Sequence, residues 1–311
     1  MKYAIDKQFG LWRHMKQPVM GERFFRLFFR LAERIVKTDK YFLSHKDVNV
    51  DTITVQTLDN YPLNSYLITP NKLKSNGIIL YLHGGGFCFK GSESHADICV
   101  KYANEVGVKL LFVEYRLAHN TPYPTPEDDC ILVYKYLIDN AEALGISAEK
   151  IIIAGDSAGG NLALGVFYAA CRQGLQKPAA LMLVYPVVDN LMQTESMKNF
   201  TDTPMWNAVL NEAMWKVYLP TDSAKDLFKK NHVVANLYTE FPNTYIESAE
   251  FDCLRDEALE LANKLQTAGV NLTLNETKGT MHGYDQVDCE ISKENINKRI
   301  NWLLGLAKPI F

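Results

Sequence analysis

No stretch of this sequence is apolar for long enough to cross a membrane. The longest uncharged apolar run, Pro178 to Val188, falls well short of the ~18 residues a spanning helix needs and reads instead as a buried strand. A secretory leader is missing too: Arg13, Lys16, Glu22 and Arg23 interrupt the start before an apolar core of ~7 residues forms, so the expected location is the cytoplasm. The six cysteines, at 88, 99, 130, 171, 253 and 289, form no C-x-x-C pair, and in that compartment they are expected to be free buried thiols. A basic excess is lacking, since 33 Lys and Arg stand against 36 Asp and Glu; this argues against nucleic acid as the main partner. No H-E-x-x-H is present, and His83 and His95 lack the flanking pattern of a ligand pair, so no metal is expected. No G-x-G-x-x-G is followed by an acid at the distance a dinucleotide site requires. Repeats and low-complexity tracts are absent.

What remains is an ordinary globular composition, 47% hydrophobic and 22% charged over 311 residues. That length could hold two domains, but α/β folds often run past it as one, and a single domain is expected over 1–311. Residues 1–45 form a separate aromatic-rich helical zone. Phe24, Phe28, Leu31 and Ile35 recur at helical spacing, with Arg23, Arg26, Arg30, Arg34 and Lys37 on the opposite side. Such a basic amphipathic helix is read as packing on the body with its charged face in water. Contact with a lipid surface or acidic partner is the sharper alternative and is not favoured.

From Val48 onward the pattern is that of a sheet. Val50–Val55 alternates, and Pro62–Thr69 reads as its hairpin partner. Continuous apolar runs follow at 77–82, 108–114, 150–154, 179–185, 244–248 and 270–274. Helical segments fall between and after them at about 94–106, 127–143, 159–173, 255–268 and 285–306. Strands apolar on both faces and separated by helices predict a mostly parallel sheet covered on both sides, an α/β fold. Residues 189–230 break the alternation with Met192, Met197, Met205, Trp206, Met214 and Trp215, and are too long for a simple connection. They are read as an inserted helical segment that, with 1–45, covers the active edge of the sheet.

Two glycine-rich loops follow strands. Gly155-Asp156-Ser157-Ala158-Gly159-Gly160 sits between the run Ile151–Ala154 and a helix, the strand–turn–helix setting a G-x-S-x-G nucleophile elbow needs. His83-Gly84-Gly85-Gly86-Phe87 follows Ile78–Leu82, and its successive glycines can turn N–H groups toward a substrate oxyanion. A phosphate loop is the rival, but Ser92 follows Gly91 where that motif requires Lys. His282, flanked by Gly283 and placed between the last strand and the last helix, is the expected base. The acid should lie between serine and histidine in chain order. Asp252, just past a strand, fits; Glu247, Glu250 and Asp256 are its rivals. Asp156 is expected to hold the elbow by hydrogen bonds.

Together the His-Gly-Gly-Gly loop, Gly-Asp-Ser-Ala-Gly-Gly, Asp252–Glu257 and Met281-His282-Gly283 resemble the hormone-sensitive-lipase-like family of α/β-hydrolase esterases, from about Leu80 to Tyr284. Tyr115-Arg116-Leu117-Ala118 and Tyr123-Pro124 match a further family stretch. His119 stands where the family usually has Pro, and Cys253 follows the acid where Pro is favoured. The resemblance implies an α/β-hydrolase fold with a helical cap, here 1–45 and 189–230. It implies that Ser157 attacks an acyl carbonyl, that His282 shuttles the proton and that Asp252 holds the imidazole. It further implies an oxyanion hole from Gly84, Gly85, Gly86 and Ala158, with Gly84 shaping the loop, and a loop organised by His83. The implied activity is hydrolysis of short- to medium-chain carboxylic esters without metal or organic cofactor. The same triad can cleave amides, formamides or lactones, and some relatives are non-catalytic receptors that have lost the histidine. Esterases of this architecture often pair through an edge strand or helix, so a homodimer stays open.

Overall fold

The computed structural model describes residues 2–17, 21–232 and 237–306. Its frame is an eight-stranded sheet in the order β1-β2-β4-β3-β5-β6-β7-β8. The strands are β1 (Val48–Gln56), β2 (Pro62–Pro70), β3 (Ile78–Leu82), β4 (Lys109–Val113), β5 (Ile151–Asp156), β6 (Ala180–Val184), β7 (Asn243–Phe251) and β8 (Leu272–Met281). β1 and β2 form the expected hairpin, and β2 joins β4 antiparallel; every other pairing is parallel.

The apolar runs are continuous because both faces of the central strands are covered. Ile78, Leu80 and Leu82 of β3 and Ile151 and Ile153 of β5 face one core. That core is shared with helices α4 (Thr125–Asp139), α5 (Ala158–Gln173) and α9 (Arg255–Thr267). Ile79, Tyr81, Ile152 and Ala154 face the other, built on α2 (Thr38–Ser44), α3 (Glu93–Val106) and α10 (Glu290–Leu306). The last helix starts five residues later than expected: Tyr284–Gln286 forms a separate 3-10 turn, and Ser292 Oγ then donates to the Tyr284 carbonyl.

The 189–230 stretch is helical, with α6 (Glu195–Asn199), α7 (Ala208–Tyr218) and α8 (Asp222–Asn231). Met214, Trp215 and Tyr218 of α7 are buried, and the Tyr218 ring stacks on Phe87 just past the glycine loop. The N-terminal helix α1 (Glu22–Ala32) packs against α7. The face it uses differs from the expected one. Phe25 and Phe29 are buried, while Phe24, Phe28, Leu31 and Ile35 are exposed. Two apolar rows share this helix, and the neighbours chose the shorter.

His119 explains its own departure from the family pattern. It is buried, and its Nε2 lies 2.9 Å from Glu33 Oε2, tying the segment after α1 to the loop after β4. All six cysteines are unpaired; Cys171 is half-buried and the rest are buried.

Candidate active site

The carboxyl ends of parallel strands are where open α/β sheets place their chemistry, and four such ends converge here. β5 runs into Ser157, which takes φ 52° and ψ −120° before α5 begins at Ala158. A non-glycine residue at positive φ costs ~1–3 kcal/mol and persists only where its surroundings impose it. Here Ser157 N–H donates to the Val184 carbonyl (2.9 Å) and the Ser157 carbonyl accepts from Val187 N–H (3.0 Å). Gly159 is required on the helix side, because a Cβ there would run into the Leu82 carbonyl.

β7 and β8 bring the other two residues together by register. A β-irregularity at Ala249–Phe251 sets Phe251 opposite Met281, so the residues that follow, Asp252 and His282, lie side by side. His282 Nε2 is 2.8 Å from Ser157 Oγ, and His282 Nδ1 is 2.6 Å from Asp252 Oδ2. The other Asp252 oxygen accepts the Leu254 N–H at 3.0 Å. The rival acids are engaged elsewhere. Glu247 holds Arg299, Tyr284 and Tyr245; Asp256 accepts from Ser196 N–H and Arg255; Glu250 accepts from Gly279 N–H.

The glycine loop leaves β3 beside the elbow. The N–H groups of Gly85, Gly86 and Ala158 donate to no group among the described residues. Gly84 differs from expectation: its N–H is already given to Asp156 Oδ1 at 2.9 Å, so it anchors the loop and is not free to meet an oxyanion. Gly86 sits at φ 58° with Trp206 so close that a Cβ would collide with the indole.

Asp156 is the hub of this anchoring. Besides Gly84 it accepts from Tyr81 Oη (2.9 Å) and lies 3.2 Å from His95 Nε2. Burial alone would raise its pKa, but His95, Tyr81 and His83 outweigh burial and bring it down to about 2. On His95 burial acts to lower the pKa, and the Asp156 carboxylate more than offsets it, leaving the value raised. His83 lies one residue upstream of Gly84, with Nδ1 2.7 Å from the Gly84 carbonyl and its ring stacked on Tyr115. Burial, aided by His95, lowers its pKa from 6.5 to about 3, so at neutral pH it is an uncharged donor to that carbonyl.

In the sequence His95 is weighed as a metal ligand and rejected. Its local setting is a capping box with Ser92 at the start of α3, where His95 Nδ1 lies 2.7 Å from Ser92 Oγ and Nε2 is aimed at Asp156, a partner that the local pattern does not report. Tyr185 was also missed. Its ring packs edge-on against His282 at 4.7 Å, while its hydroxyl donates to Asp285 (2.5 Å), itself held by the buried Arg299.

Ser157 and His282 open into a cavity of about 170 Å3, walled by Phe29, Phe89, Tyr185, Met205, Trp206 and Gln286. Ligand sites for drug-sized molecules run ~300–1,000 Å3, so this one is small. Among the described residues, no group of three His, Cys, Asp or Glu is placed to hold a metal ion.

Residues 79–286 match the family described as alpha/beta hydrolase fold. An ethyl acetate hydrolase from Pseudomonas putida is 29% identical over 241 residues, 76% of this chain and 75% of that enzyme. Hormone-sensitive lipase from Mus musculus is 36% identical over 114 residues, which are 37% of this chain and only 15% of the lipase. Among solved structures, a bacterial heroin esterase superposes with a TM-score of 0.84 at 28% identity, and the match covers 97% of both chains.

Proposed function

The chain belongs to the α/β-hydrolase family, in its hormone-sensitive-lipase-like branch of carboxylic ester hydrolases, and on that premise we propose that it cleaves short- to medium-chain acyl esters through Ser157, His282 and Asp252. The observation that carries this reading is the unbroken chain from Ser157 Oγ through His282 to Asp252, at 2.8 and 2.6 Å, opening into a cavity of about 170 Å3.

In this mechanism Ser157 Oγ attacks the acyl carbonyl as His282 Nε2 takes its proton. Asp252 keeps the other ring nitrogen protonated and stabilises the imidazolium. The carbonyl oxygen becomes an oxyanion facing the free N–H groups of Gly85, Gly86 and Ala158, the last at the positive end of α5. Such a donor is worth about 3 kcal/mol in the transition state. Collapse expels the alcohol, which leaves with the proton from His282. Water then repeats the cycle on the acyl-enzyme, giving its proton to His282 and freeing the acid. No step needs a metal or an organic cofactor.

The described parts of 1–45 and 189–230 are read as a cap over this cleft, since Phe29 of one and Met205 and Trp206 of the other wall the cavity. A small acyl space favours short chains. Hydrolysis of p-nitrophenyl esters from C2 to C16, by wild type beside Ser157→Ala, tests the proposal. Turnover is expected to be highest among the short esters and to vanish in the variant. Activity climbing steadily to C16 would sink the chain-length reading, and unchanged activity in Ser157→Ala would sink the mechanism.

A further inference from the structure

Helix α1 turns an unusual set of side chains to solvent. Phe24 is 58% exposed, Leu27 53%, Leu31 51% and, just past the helix, Ile35 78%. These are not scattered single residues. Their spacing of three and four lines them up along the helix axis, beside the packed row of Phe25 and Phe29. Nine of the fifteen large exposed hydrophobics among the described residues fall within 2–46. Contiguous exposed apolar surface of this kind marks an interaction site.

The basic row, expected on the opposite side of the helix, instead runs alongside this apolar one. Arg23, Arg30 and Arg34 recur at spacings of seven and four, so they share one line on the helix. All three are exposed, as is Lys37, and none has a carboxylate partner among the described residues. The charge imbalance extends beyond the helix. Residues 2–46 hold 11 Lys and Arg against 4 Asp and Glu, in a chain whose formal net charge is −3.

We propose that the outer face of α1 docks on an anionic lipid bilayer, with Phe24, Leu27, Leu31 and Ile35 entering the interface and Arg23, Arg30 and Arg34 meeting lipid phosphates. An apolar row flanked by cations is the surface an interfacial helix presents, and each Lys or Arg near an anionic leaflet adds to the attraction. A second copy of the chain fits less well, because a two-fold contact through this face would press two basic rows together. The face also adjoins the catalytic cleft. The ring of Phe28 packs edge-on against Phe29 at 5.2 Å, and Phe29 walls the cavity at Ser157. A docked molecule would therefore hold its cleft near the headgroups, within reach of esters that partition into the bilayer. The docking stands independently of the esterase reading, because binding is measured without turnover.

The test is co-sedimentation of the full chain with phosphatidylcholine vesicles, with and without about one-third phosphatidylglycerol. Binding to the anionic vesicles at low salt is expected, with release in high salt as the phosphate contacts are screened. The triple variant Arg23→Gln/Arg30→Gln/Arg34→Gln should weaken it by on the order of 100-fold. Leu31→Ser/Ile35→Ser, which leaves charge unchanged, should weaken it by at least ~10-fold. Both variants alter only exposed side chains, so their melting temperatures should match wild type and confirm intact folds. No binding at low salt, equal binding to neutral vesicles, or wild-type binding by both variants would overturn the proposal. So would a dimer that ignores vesicles and becomes monomeric on Leu31→Ser/Ile35→Ser.

Discussion

Two buried histidine–aspartate pairs flank Ser157, and they are built for opposite ends. On one side His282 Nδ1 meets Asp252, leaving Nε2 pointed at the serine hydroxyl and the open cavity. On the other side His95 Nε2 meets Asp156, and its remaining nitrogen is held by Ser92 at the start of α3. The residue types are the same and the burial is similar. What separates them is the far nitrogen of each ring: one is available to a reacting atom and the other is tied down by the backbone. A His–Asp pair is thus a neutral building block whose role is set by what the imidazole's second nitrogen can reach.

The largest effect should come from the open pair. Under the proposed mechanism Ser157→Ala and His282→Ala each lower kcat by on the order of 10⁶, and the double variant is little worse, since the residues act as a unit. Asp252→Asn should cost about 10⁴ by favouring the wrong tautomer. Steady-state kinetics on a short p-nitrophenyl ester measure all of these. The comparison breaks if Asp252→Asn is no more damaging than the same change at Asp156.

At the closed pair the loss should be smaller and of another kind. Asp156→Asn removes the ionised acceptor for the Gly84 N–H and strands His95, so the glycine loop loosens while the chain of contacts from Ser157 through His282 to Asp252 stays intact. Turnover should fall roughly 10- to 100-fold, less than removal of a direct oxyanion donor can cost. Stability should fall as well, by ~3 kcal/mol, as expected when one member of a buried charged pair is lost. Kinetics and urea unfolding on the same sample separate the two. A stability loss without a kinetic one would detach the anchor from catalysis.

The cavity wall sharpens the contrast between an open side and a closed one. Trp206 touches Gly86 and lies 6.2 Å from the His282 ring, so its indole occupies space an acyl chain could use. Trp206→Ala should shift the ratio of octanoyl to acetyl ester turnover upward by roughly 10-fold. Chain-length profiles of the two proteins check this; an unchanged ratio would place the acyl chain elsewhere.

The sequence was legible where the geometry of the candidate site depends on order and local setting. Ser157 is announced by a strand before it and a helix after it, and His282 and Asp252 by their loops past strands. The sheet could be read because its strands are apolar on both faces. Three things were not readable. His95 owes its role to a carboxylate 61 residues away, and no local pattern reports a partner at that distance. Helix α1 carries two apolar rows at helical spacing, and periodicity tells that a face exists without telling which face meets α7. Gly84 belongs to the same class: three consecutive glycines look alike until the fold gives one of their N–H groups to Asp156.

The subtlest difference is in how stability responds to pH. His83 keeps its proton off down to about pH 3, whereas the unfolded chain takes one up near 6.5. Between those values the unfolded state binds more protons, so His83 makes stability fall as pH drops through that window. His95 acts in the opposite sense. Burial resists its charge, but Asp156 overrides burial and raises its pKa. Its contribution is therefore complete below the unfolded value and is lost as pH rises through the raised folded one. Asp156, held at about 2 against an ordinary 3.8, contributes above 3.8 and gives that up only as pH falls toward 2. Urea midpoints of wild type, His83→Asn and His95→Asn between about pH 4 and 9 resolve the two histidines. The deficit of His95→Asn relative to wild type should be greater at pH 6 than at pH 9, and His83→Asn should flatten the acid limb. A His95→Asn deficit that does not change with pH would mean that the closed pair is not ionised, and its difference from the open pair would then rest on geometry alone.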